Sequence, residues 1–326
     1  MKTNALHMVG AINEALRQEM TKDERVVVYG EDVGVDGGVF RVTDGLHAEF
    51  GDQRCFDSPL AESGIVGTAI GLAINGMRPV VEIQFSGFLF EAFAQIMCHA
   101  VRVRNRSRGR FSCPMVIRTP YSGGIKALEH HIESEEAYLA HLAGLKVVIP
   151  STPFDAKGLL LAAIRDPDPV VFFEPKRLYR SFKQEVPEQD YIIPIGKAAL
   201  VREGTDLTLI AYGAMIRECH EAAALAEKEG ISCQIVDVRT ISPIDRETII
   251  AAVQSTGRAL IVQEAPKSHV VATEIMSFLY ENLFQSLKAP IARVTGFDVV
   301  NPMARGEDLY LPNQSRVFQE IKKVMG

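Results

Sequence analysis

Short runs rich in β-branched residues alternate with amphipathic helical patterns along almost the whole chain, and this alternation restricts the fold more than any other feature. Residues 26–29, 79–85, 115–118, 145–149 and 170–173 read as strands. Residues 6–20, 62–75, 88–103 and 153–164 read as helices, the last with Thr152 as its cap and Pro153 at its first position. Strands separated by helices belong to a parallel sheet covered on both faces. The pattern stops at residues 181–194 (SFKQEVPEQDYIIP), which are polar, carry two prolines and lack periodicity. It restarts with strands at 207–211, 234–238, 259–263 and 291–294 and helices at 215–229, 245–254 and 270–287. The expectation is an α/β chain of two doubly wound domains, residues 1–185 and 195–326, joined by a linker at 186–194. A length of 326 residues suits two domains, each large enough to bury its own core.

Composition narrows the function classes. Acidic residues outnumber basic ones, 41 to 35, so the chain is not built to wrap a polyanion and nucleic acid is excluded as its main partner. The alternating arginines Arg102, Arg104, Arg106, Arg108 and Arg110 have no interleaved aromatic residue and read as a helix end. Apolar residues make up 47% of the chain, yet no apolar run approaches the roughly 20 residues that a membrane span needs. The first residues, MKTNALHMVGAINEAL, have no signal-peptide core. Five scattered cysteines without a CxxC pair make neither a disulfide framework nor a zinc site, and a cytoplasmic location is expected.

Three segments carry groups able to do chemistry. The glycine-rich turn GEDVGVDGG at 30–38 allows positive φ and close approach to a ligand. In ESGIVGTAIGLAING the spacing of Gly67 and Gly71 is neither GxGxxG nor a P-loop and reads as close helix packing. Glu62 opens that helix, as a dipole-stabilised carboxylate or as a proton-transfer group held among apolar neighbours with a raised pKa. His130 and His131 sit in a loop and lack metal-ligand spacing; one of them can move a proton near neutral pH, or both are bonded to backbone. No GxSxG elbow and no HExxH is present.

Several long motifs, in order, then resemble one family. GEDVGVDGGVFRVT, FDSPLAESGIVGTAIGLAINGMRPVVEIQF, HHIESEEAYLAHLAGLKVVIPSTPFDAKGLLLAAIRDPDPVVF, EPKRLYR and PIGKA look like the β subunit of thiamine-diphosphate-dependent 2-oxo acid dehydrogenases. The resemblance implies an N-terminal pyrimidine-binding domain with a mainly parallel sheet and a C-terminal transketolase-type domain. It implies that Glu62 hydrogen-bonds the aminopyrimidine of thiamine diphosphate, favouring the tautomer that removes the thiazolium proton. Phe88 matches the aromatic residue against the pyrimidine, Leu60 and Gln84 match neighbouring pocket positions, and His131 matches the histidine of substrate binding and acyl transfer to the lipoyl arm. In some relatives main-chain oxygens at positions matching Met115, Ala163, Asp166 and Asp168 hold K+. The family's GDG segment with its later asparagine, which holds Mg2+ and diphosphate, has no counterpart; Thr43-Asp44-Gly45 does not match. The resemblance therefore implies an α subunit supplying that half of the cofactor, in an α2β2 assembly that serves a lipoyl-bearing acyltransferase core. A small 2-oxo acid is the implied substrate, pyruvate first; branched-chain and acetoin-cleaving enzymes are the alternatives, and a non-catalytic assembly subunit is the reading from a different class. The chain departs from the family at Ser122, where GGG is common, at Ile132, where a small residue is common, in EAPKSHVVAT at 264–273, and at Gly326, where some relatives end in a bulky apolar residue.

Overall fold

Alternate residues of each strand in the N-terminal half supply two different cores. Val26, Val28, Val80, Val116 and Phe172 face one side, with Ile12, Leu16, Leu159 and Leu160; Val27, Tyr29, Val81, Ile117 and Phe173 face the other, with Val66, Ala69, Ala92 and Ile96. This is the period-two geometry of strands buried on both faces. The computed structural model describes residues 2–326. The N-terminal half runs β1 (Thr3–Leu6), α1 (Met8–Lys22), β2 (Val26–Gly30), α2 (Leu46–Phe50), β3 (Cys55–Asp57), α3 (Glu62–Ile74), β4 (Arg78–Glu82), α4 (Leu89–Cys98) and α5 (Val103–Arg106). It continues through β5 (Val116–Tyr121), α6 (Glu136–Ala140), β6 (Lys146–Val148), α7 (Pro153–Arg165), β7 (Val170–Pro175) and β8 (Gln184–Pro187). The C-terminal half runs β9 (Ala199–Arg202), β10 (Leu207–Ala211), α8 (Met215–Lys228), β11 (Cys233–Asp237), β12 (Thr240–Ser242), α9 (Arg246–Thr256) and β13 (Ala259–Val262). It ends with α10 (Val271–Leu283), β14 (Ala292–Val294), α11 (Glu307–Tyr310) and α12 (Gln314–Met325).

The larger sheet has the order β12-β6-β7-β5-β4-β2-β3 and the smaller β14-β13-β10-β11-β9. Both are parallel except at one edge, where β12 and β9 pair antiparallel. Chain order reverses beside β2, with β3 on one side and β4 on the other. Ligands of open α/β sheets bind at such a switch point, outside the carboxyl ends of the strands.

Four expectations are corrected. Residues 184–187 form β8, antiparallel to β1, so the polar stretch is a strand at its centre. β12 lies in the C-terminal half of the chain but extends the N-terminal sheet, pairing Thr240 with Val148. The helix expected over 88–103 breaks at His99 (φ −125°), and residues 100–102 continue as a 3-10 turn. Close packing does not explain the glycine spacing of α3: a Cβ at Gly67 would make only ordinary contact with Gln95, 3.7 Å away, and one at Gly71 would meet open space. Thr152 does cap α7, accepting from the Asp155 amide at 3.1 Å. All five cysteines are unpaired.

Candidate active site

The carboxyl ends of β2, β3, β4 and β5 bring the expected residues to one edge of the larger sheet. Asp32 follows β2, Leu60 and Glu62 follow β3, Gln84 and Phe88 follow β4, and His131 follows β5. Glu62 opens α3 with its side chain nearly buried, whereas Leu60 is 70% exposed, so this edge is open on one side. Gln84 Nε2 donates to Asp32 at 3.2 Å. Acids gather near Glu62: burial, then the charges of Asp32 and Glu62, hold Glu31 above the usual carboxylate range.

An aromatic group lies where the segments after β4 and β5 meet. Phe88 meets His130 at 5.2 Å and His131 at 5.4 Å between ring centroids, and Phe85 meets His131 at 4.5 Å. The histidines lie in a 3-10 turn, Glu129–His131, rather than an irregular loop. His131 Nδ1 is buried without a hydrogen-bond partner. Burial, reinforced by the charges of His130 and Lys176, holds the His131 imidazolium below its ordinary pKa, so the ring is mainly neutral at neutral pH.

The glycine-rich turn plays a different part from the one expected. The amides of Gly34 and Val35 donate to the Asp57 carboxylate at 2.6 and 3.2 Å, so an internal anion fills the cradle that a phosphate would need. This edge therefore suits a neutral or basic heterocycle that meets carboxyl groups and an aromatic ring. It does not suit a diphosphate.

Met115, Ala163, Asp166 and Asp168 also meet, where α7 ends and β7 begins, but their corner already holds cations. The Met115 and Ala163 carbonyls accept from the amides of Val170 and Asp166 at 3.0 and 3.2 Å. Arg78 donates to the carbonyls of Ile164 and Asp166, Lys146 pairs with the Asp166 carboxylate at 2.6 Å, and Arg104 pairs with Asp168 at 2.7 Å. Lys146 and Arg104 are thus neutralised by carboxylates of the same corner, and each carbonyl keeps a second lone pair.

Sequence reasoning missed a buried polar group behind the histidines. Lys176 lies 5.9 Å from the Phe85 ring centroid, and its Nζ has no partner. Both carboxyl oxygens of Glu135 are likewise unpartnered. Burial pushes Lys176 down to about 8 and Glu135 up to about 8. The EPKRLYR segment contained Lys176, but nothing local marked it as buried.

With this geometry in hand, the comparisons are decisive. The chain matches the family models "Transketolase, pyrimidine binding domain" over residues 4–181 and "Transketolase, C-terminal domain" over residues 196–317. The pyruvate dehydrogenase E1 component subunit beta of Acholeplasma laidlawii is 55% identical over 317 residues, covering 97% of each chain. The chain belongs to the family of β subunits of thiamine-diphosphate-dependent 2-oxo acid dehydrogenases. The corresponding Bacillus subtilis subunit is 53% identical over 98% of each chain. A split-gene transketolase, solved as an inactive β4 tetramer, superposes with a TM-score of 0.79 over 99% of each chain at 23% identity, a likeness of fold alone. Among the described residues no helix is long and apolar enough to cross a membrane.

Proposed function

We propose that this chain is the β subunit of a cytoplasmic pyruvate dehydrogenase E1 component, active with an α subunit in an α2β2 assembly and serving a lipoyl-bearing acyltransferase core. The observation that carries the reading is the packing of Phe88 on the histidine pair at the carboxyl edge of the larger sheet, the edge at which Glu62 opens α3, beside a switch point. The pyruvate dehydrogenase names of relatives at 50% identity and above favour pyruvate over branched-chain acids or acetoin.

Thiamine diphosphate supplies a nucleophilic carbon and an electron sink when bound. Glu62 would hold its carboxyl toward the pyrimidine and could share a proton with it, Phe88 would pack against the ring, and Leu60 and Gln84 would border the same pocket. His131, mainly neutral at rest, binds next to the substrate and passes a proton during transfer to the lipoyl sulfur. The diphosphate and Mg2+ belong to the α subunit, since the acids of this edge repel a polyanion and Asp57 occupies the loop amides. The chain up to the end of β8 forms the pyrimidine-binding domain and 195–326 the transketolase-type domain, which lends β12 to the first sheet.

The test is pyruvate decarboxylation read with an artificial electron acceptor, using the purified chain with thiamine diphosphate and Mg2+, with and without the α subunit. Turnover is expected only with both subunits. Robust turnover by the chain alone overturns the two-subunit reading. A non-catalytic assembly subunit predicts instead that Glu62→Gln leaves the reconstituted rate unchanged.

A further inference from the structure

His131 is held in an unusual way for a histidine that works on protons. Such rings are ordinarily oriented by a hydrogen bond to the second ring nitrogen. Here Nδ1 has no partner, and the ring rests against Phe85 and Phe88. Its pose is therefore set by ring contacts and by the backbone that carries it. That backbone has turn bonds from the His131 amide to the Leu128 carbonyl at 3.0 Å and from the Ile132 amide to the Glu129 carbonyl at 3.1 Å, and the Glu133 carbonyl accepts from the Ser122 amide at 3.1 Å.

The C-terminal half supplies the long-range anchors. Glu264 accepts from the Ser122 hydroxyl and the Gly123 amide, and Glu307 accepts from the Gly124 amide, which fixes the start of the segment. At its far end Asn301 Nδ2 donates to the Ile132 carbonyl at 2.9 Å, a buried bond between residues 169 positions apart. The bonded carbonyl lies in the peptide unit just after Ile132, so its shift reaches His131 through the backbone dihedrals of Ile132 alone. The two anchor groups differ in consequence: the bonds at 122–124 reach the ring only through the Ser122 amide's bond to Glu133, whereas Asn301 bonds the residue next to the histidine itself.

We propose that Asn301 is a positioning residue for His131, fixing the imidazole through the Ile132 carbonyl and so making acyl transfer depend on the C-terminal domain. The inference rests on the reading of His131 given above. Its consequence is selective. Formation of the nucleophile and loss of carbon dioxide rely on the Glu62 end of the site, and transfer to the lipoyl sulfur relies on where His131 points.

The experiment uses the reconstituted α2β2 enzyme carrying Asn301→Asp, which keeps the shape but removes the donor, Asn301→Ala, or Asn301→Gln, which keeps an amide donor. His131→Ala is measured in parallel. Acylation of a lipoyl domain is expected to fall about ten- to a hundredfold in the Asp and Ala variants, as for other small misplacements of reacting groups, while acceptor-linked decarboxylation changes less than about threefold. The Gln variant is expected to recover part of the lipoyl rate. Equal losses in both assays, or none in either, overturn the inference when His131→Ala itself shows the uneven pattern. An even pattern in His131→Ala overturns the reading of His131 instead. If the Asp variant fails to assemble, the Ala and Gln pair decides, since a purely structural clip would lower both half-reactions together.

Discussion

The two sheets share a parallel architecture, but their carboxyl edges are put to opposite uses. At the larger sheet the edge is open beside Glu62: Leu60 is exposed, and the charges of Asp32 and Glu62 help to raise Glu31. At the smaller sheet the corresponding edge is closed against the N-terminal half. Tyr212, after β10, donates to Glu136 at 2.7 Å; Arg239, after β11, pairs with Asp155 at 2.7 Å; Glu264, after β13, accepts from Ser122 and Gly123. The position where a doubly wound sheet ordinarily binds a ligand serves here as a clamp. Fold alone would have assigned both edges the same role, and the side chains separate them.

The contrast predicts that substitutions at the closed edge cost stability and those at the open edge cost chemistry. Arg177 is the strongest case. It pairs with Glu218 at 2.7 Å and Glu264 at 3.4 Å, and both carboxylates are buried. Arg177→Met would leave two buried charges without their cation, a loss of about 3 kcal/mol or more in unfolding free energy. A urea titration of the purified chain reads it as a lower midpoint. An unchanged midpoint would mean that the clamp adds no stability and the comparison is wrong.

Glu62→Gln probes the open edge. It keeps the shape of the side chain but removes the carboxyl's proton exchange. Turnover of the reconstituted enzyme should fall about a hundredfold or more, in the range that positioned acid–base groups contribute. The unfolding free energy from a urea titration should stay within about 0.5 kcal/mol of the parent, since the amide keeps the shape and polarity of the carboxyl. A stability loss without a rate loss would return Glu62 to a helix-dipole role.

Strong periodicity made the central strands and long helices legible, because each strand carries its own burial signal. The short edge strands carry none. β1 is mostly exposed and β8 buries only Val186, and three-residue β12 crosses to a sheet built from residues nearly a hundred positions earlier. α12 was readable in principle: Val317, Ile321 and Val324 recur at helical spacing behind the cap of Asn313, whose side chain accepts from the Arg316 amide. The same division holds at the site. Glu62, Phe88 and His131 lie in recognisable motifs. Glu135, Lys176, Glu264 and Asn301 draw their meaning from partners far away in sequence. Ser122 shows both effects. It takes the left-handed backbone (φ 63°) where the family favours glycine, and the hydroxyl bond to Glu264 that holds it there spans 142 positions.

The smallest effect concerns pH and separates the edges by a histidine on each side. Burial depresses the pKa of His131 at the open edge, and burial with the charge of Arg202 depresses that of His220 on α8. A donor must be protonated before it gives its proton to the departing lipoyl sulfur. For His131 the protonated fraction at neutral pH is small, and it falls at most about tenfold for each pH unit above the pKa. The sign follows directly. As pH is lowered from about 8 to about 6, lipoyl acylation should rise relative to acceptor-linked decarboxylation, by less than about tenfold because both assays share the earlier steps. Taking the ratio cancels the opposite pH dependence of nucleophile formation, which favours higher pH. His131→Ala should flatten the ratio, and His220→Gln should leave its slope intact, since His220 touches no part of the open edge. A slope that survives in His131→Ala would show that the proton comes from another group, and the difference between the edges would then reside in Glu62 alone.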